Sequence, residues 1–137
     1  MAELHQAEQD GDTARIREML RDQPDWVVED AATALGEMRC YDAIPDLARV
    51  LGRKGASPQT RAAVARALAS MATPDSVEVL AAALKRAGNP EERYWLVVDL
   101  GRTCAEGALE VVQELQFDSD VLVARAAKKA MKDCWEE

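Results

Sequence analysis

The sequence predicts an all-α fold, a right-handed α-solenoid of stacked antiparallel helical hairpins, and three observations predict it. Apolar residues recur at helical spacing between short breaks. The pattern returns with a period in the low thirties, two helices to each period. Ala and Leu abound, aromatic residues make up only 4% of the chain, and β-branched residues are not gathered into strand-like runs.

At the start, Ala2 to Asp10 suits a short helix around Leu4 and Ala7, and Gly11-Asp12-Thr13 ends it and caps the next. That second helix turns Ile16, Met19 and Leu20 one way and stops near Asp22, because Pro24 disfavours helix at the residue before it. From Asp25 the repeat is legible. A shift of 33 carries Leu35 to Leu68, Met38 to Met71, Asp42 to Asp75, Leu47 to Leu80 and Leu51 to Leu84. A further shift of 32 carries Pro58 to Pro90, Arg61 to Arg93, Leu68 to Leu100 and Leu80 to Val112, and past Val112 the register slips by one.

The clearest unit is Pro58 to Leu84. Thr60, Val64, Ala67, Leu68 and Met71 give its first helix an apolar face, and Val77, Leu80, Ala81 and Leu84 do the same for its second. Pro58 suits a first helical turn, where its missing N–H costs nothing, and Thr73-Pro74-Asp75 breaks the run and starts the second helix. The last stretch, Ser119 to Trp135, supplies one more first helix through Val123, Ala127, Ala130 and Met131. The chain therefore reads as one domain over residues 1–137. An atypical cap hairpin occupies 1–24, repeats occupy 25–57, 58–89 and 90–118, and a capping helix occupies 119–137.

Thr60-Arg61-x-x-Val64-Ala65-x-Ala67-Leu68 and Val27-x-x-x-Ala31-Ala32-x-Ala34-Leu35-Gly36 resemble the short HEAT-like repeats of phycobilin-lyase-type proteins, over roughly residues 25 to 134. The resemblance implies a stacked-hairpin fold and a role in binding, and it raises an enzyme-complex subunit of the lyase or isomerase kind as the alternative. Val28 and Ala124 stand where Arg61 and Arg93 match the pattern, so a ladder of Arg–Asp pairs would be broken at both ends. HEAT-like repeats also build a di-iron hydroxylase whose ligands are repeated His-Glu pairs. Here the one histidine, His5, is followed by Gln6.

Composition narrows the function further. A net charge of −8 argues against a nucleic-acid backbone as partner, although residues 31 to 89 carry +3 between acidic ends. No apolar run approaches the ~20 residues that span a bilayer, and the N-terminus lacks a basic, apolar leader, so a cytoplasmic protein without a membrane role is expected. Cys40, Cys104 and Cys134 lack the spacing of a metal site and are expected to be free thiols. No cofactor, metal or catalytic set is expected.

The expected function is a non-catalytic scaffold that binds a protein or peptide in the concave groove. Its site would be a ridge on the second helices, Asp42, Asp46, Arg49 and Arg53, continued by Asp75, Val79, Ala82, Arg86, Val111 and Glu114. Tyr94 and Trp95 offer a convex alternative, since aromatics are frequent interface anchors.

Overall fold

The computed structural model describes residues 2–136, and among them it contains nine α-helices and no strand. These are α1 (Ala2–Asp10), α2 (Thr13–Glu18), α3 (Asp25–Glu37), α4 (Ile44–Leu51), α5 (Pro58–Met71), α6 (Pro74–Arg86), α7 (Pro90–Thr103), α8 (Glu106–Leu115) and α9 (Val121–Cys134), with one 3-10 turn at Tyr41–Ala43. The all-α class read from the sequence is the observed one. The second helix is shorter than expected, ending at Glu18 with turns leading to Asp22.

The helix starts follow from local chemistry. Asp12 accepts the backbone N–H of Arg15, and Asp120 accepts those of Leu122 and Val123. Thr73 and Ser76 satisfy each other's backbone N–H groups in a capping box, with Pro74 in the first turn of α6. Asn89 accepts the N–H of Glu91 ahead of Pro90. Each of these side chains takes up donors that the first helical turn leaves without partners.

Contacts divide the chain into two compact units, one ending at Met71 and the other beginning at Ala72. In the first, α1 packs on α2, α2 on α3, and both α3 and α4 on α5. Its core includes Ile16, Leu20, Val28, Leu35, Leu47, Val64 and Leu68, none more than 1% exposed. In the second, α6 packs on α7 and α8, and α9 on α7 and α8. Leu80, Leu96, Leu100, Val112, Val123 and Ala127 are fully buried there.

Neighbouring first helices approach closely at small residues. A Cβ on Gly36 of α3 would stand 3.0 Å from the Cα of Ala67 on α5, and one on Gly101 of α7 would stand 2.9 Å from the Cβ of Ala130 on α9. Both glycines are where the partner helix needs the space. The backbone repeats as well: Arg39, Ala72 and Cys104 take left-handed conformations at φ 51°, 49° and 49°, each just past a first helix and spaced by the 33 and 32 residues of the sequence register.

The register slip reaches further than the sequence suggested. Ala108, Val111 and Val112 form the buried face of α8, so that the whole helix aligns with α6 at a shift of 31. This is why Val111, expected on the exposed ridge, is buried at 6%.

Leu68 lies at 0% exposure. Leu68→Ala is expected to cost about 2–5 kcal/mol through lost burial and the cavity left behind, measured by urea unfolding. A loss below about 0.5 kcal/mol would contradict its place in the core.

Candidate functional site

The residues of the expected ridge divide between the two units. In the first, Ile44, Leu47, Val50 and Leu51 hold α4 inward, and Asp46 is buried with them at 6% exposure rather than standing on a solvated ridge. Arginines cover it. Arg17 Nε donates to Asp46 Oδ2 at 2.7 Å, Arg49 Nη1 to Oδ1 at 3.3 Å, and Arg21 lies 3.9 Å away. Arg53 turns its Nη2 to the Leu20 carbonyl at 3.1 Å, and Arg21, Asp22, Arg49 and Arg53 line a surface cavity of about 560 Å³. Asp42 is exposed nearby on the same element pair.

Burial would push the Asp46 carboxyl up, but the hydrogen bond and charge of Arg17, joined by those of Arg49, outweigh it and hold the group below the usual carboxylate range. The same contact raises Arg17. Three guanidinium groups around Asp46, with Arg53 beside them on the Leu20 carbonyl, together outnumber the carboxylates of Asp46, Asp22 and Asp42 by one on this face. The sequence reading found Asp46, Arg49 and Arg53 but missed Arg17 and Arg21. Their signal was present, because they sit four apart, off the Ile16, Leu20 face.

In the second unit Asp75, Arg86 and Glu114 are exposed and Val79 and Ala82 half-buried, so these and the buried Val111 form no continuous row of exposed side chains. Arg93 and Asp118 make a two-point ion pair, at 3.1 and 3.2 Å, between α7 and the α8–α9 turn. Burial raises Asp118, while the Asp120 N–H and Arg93 more than reverse it and hold the carboxyl low.

Tyr94 is 44% exposed and stands on the wall of a cavity of about 700 Å³ between α7 and α9, while Trp95 is half-buried. The same wall carries Cys104 and Cys134, which form a disulfide with Cα atoms 5.1 Å apart. This corrects the expectation of three free thiols: only Cys40 is free. The expectation compared Cys104 with Cys40, two repeats away, whereas Cys134 ends the first helix adjacent to that of Cys104. A separation of 30 residues, close to one repeat, was the available signal.

Among the described residues no group of three or more His, Cys, Asp or Glu side chains could hold a metal ion. His5 lies on α1 beside Leu4 and Glu8, in a shallow cavity with Asp30 and Glu37. The donor set does not fit the iron pair that a HEAT-like hydroxylase would need. No helix among the described residues is long and apolar enough to cross a membrane.

The family model for HEAT repeats matches residues 13–97. No curated protein matches the chain. Among solved structures the chain is similar to human deoxyhypusine hydroxylase in complex with glycerol, at 26% identity and a TM-score of 0.78, over 91% of this chain and 44% of that one. The chain thus spans less than half the length of that enzyme. The likeness bears out an all-α solenoid, and it overturns the expectation of a purely non-catalytic groove-binding scaffold, because the similar structure is an enzyme.

The arginine cluster predicts a pH dependence. A carboxyl whose folded pKa is lowered stabilises the fold above its ordinary range near pH ~4, and that contribution is lost as pH falls through the folded value. Asp46→Asn should cost about 1–3 kcal/mol at pH 7. The difference from the parent should shrink progressively below pH ~4, as read by chemical denaturation across the pH series. A difference unchanged down to pH ~2 would remove the ion pair as its cause.

Proposed function

The chain belongs to the HEAT-repeat family, and from that premise we propose that it is enzyme-related: a HEAT-repeat part of an enzyme that grips a protein partner. The observation that carries this reading is the likeness to deoxyhypusine hydroxylase over nearly the whole of this chain.

The geometry that supports recognition is the arginine face around Asp46. Asp46 consumes one unit of positive charge and fixes Arg17 and Arg49, while Arg21 and Arg49 keep more than half of their side-chain surface in solvent. Guanidinium groups held this way pair carboxylates at two points, so an acidic protein segment is the partner that fits. Tyr94 provides the second candidate contact, on the other unit.

The test is co-purification from the native host followed by an activity assay of the captured enzyme with and without the chain. The double variant Arg21→Glu, Arg49→Glu should lose capture by about tenfold or more and with it any effect on rate, whereas Asp46→Asn, which loosens the same place in the fold but keeps the arginines, should retain capture. Capture that yields no enzyme, or an enzyme whose rate ignores the chain, would refute the reading.

A further inference from the structure

The disulfide between Cys104 and Cys134 occupies a position that the first unit fills differently. Arg39, in the same left-handed position just past α3, donates from its guanidinium to the Ser70 carbonyl in the last turn of α5 at 2.9 Å. Cys104, just past α7, instead bonds covalently to Cys134 in the last turn of α9. In both units the helices are already held by the glycine and alanine approach beneath. The covalent bond is therefore additional to the packing of α7 on α9, and the helices can stay docked when it opens.

Its surroundings suit opening. Cys104 is exposed and Cys134 half-buried, and accessible disulfides are the ones that exchange. Both sulfurs lie near the Gly101 carbonyl oxygen, at 3.3 and 2.9 Å. A bonded sulfur carries no proton, so these are bare contacts in the oxidised state, whereas a thiol formed there has an acceptor already in place. The cavity beside the bond is lined by Arg102, Arg125 and Lys129; Lys129 holds the carboxylate of Asp133 at 2.6 Å, and Arg102 lies 3.9 Å from the buried Asp99 while keeping most of its side chain in solvent.

We propose that the Cys104–Cys134 disulfide is a thiol–disulfide exchange site for small thiols that carry carboxylates. The thiolate of the small molecule attacks Cys104 Sγ, the more exposed sulfur; a new S–S bond forms to it as the Cys104–Cys134 bond breaks and Cys134 leaves as a thiolate. A second molecule of the same thiol attacks the mixed disulfide, releasing the small-molecule disulfide and the Cys104 thiolate. Two electrons pass from the two small thiols to the protein, and Cys104 and Cys134 end as thiols. The cations recruit the carboxylates, and Tyr94 with Leu122 gives the body of the ligand an apolar wall.

The experiment uses the full chain in a Cys40→Ser background and follows opening by alkylation and mass spectrometry. Glutathione is the anionic thiol and 2-mercaptoethanol the neutral one, with rates corrected for the thiolate fraction of each. The Arg102→Glu, Arg125→Glu variant, whose changed side chains are both exposed, should slow opening by glutathione about tenfold relative to 2-mercaptoethanol. The milder Arg125→Gln should shift the ratio in the same direction should the double variant fold poorly. With glutathione disulfide, the Cys134→Ser variant should form the mixed disulfide at Cys104 faster than the Cys104→Ser variant forms it at Cys134. A ratio unchanged within about twofold in both charge variants, faster reaction at Cys134, or a native chain without the 104–134 bond would each overturn the proposal.

Discussion

An amphipathic helix of this length hides one apolar stripe and cannot stand alone in water, so everything in this protein depends on a neighbour coming close enough to cover that stripe. The approach of α3 to α5 and of α7 to α9 sets that distance. A Cβ on Gly36 would press on Ala67 and one on Gly101 on Ala130, and Leu35, Leu68, Leu100 and Val123 of these four helices are fully buried. The left-handed turns at Arg39, Ala72 and Cys104 then redirect the chain into each second helix at the same point of the repeat.

Because the packing is supplied by small and aliphatic residues, the polar groups at the helix ends are available for other work. At the end of α3 the tie is an arginine to a carbonyl; at the end of α7 it is a disulfide. The first is reversible by solvent and the second only by electron transfer, although the geometry beneath is alike. One repeat position thus carries two different chemistries in the two units.

Charge is organised on the same principle. Asp46 is buried among leucines on α4 yet stays ionised, since Arg17 and Arg49 repay its desolvation, and the arginines so ordered face outward with charge to spare. Asp118 and Arg93 form a comparable pair that fastens the turn before α9. The first pair leaves a cationic face and the second is closed on itself, with both partners mostly buried. Around these pairs the chain keeps a HEAT-repeat fold similar to deoxyhypusine hydroxylase over less than half of that enzyme's length.

The sequence by itself determined the helices, their caps and the repeat, because helical period, proline position and capping side chains act within a few residues of chain. It determined Leu68 and its counterparts as core for the same reason. Tertiary structure decided the rest. Whether Asp46 faces water depends on Arg17 of another helix, 29 residues away, and no spacing rule within α4 reports that. Whether Val111 points in or out depends on a one-residue rotation of α8 against α6, which apolar alternation in Val111 and Val112 leaves open. Cys104 and Cys134 meet because α7 and α9 lie side by side at Gly101. The separation of 30 residues only permitted that meeting, and the helix-to-helix distance made it a bond.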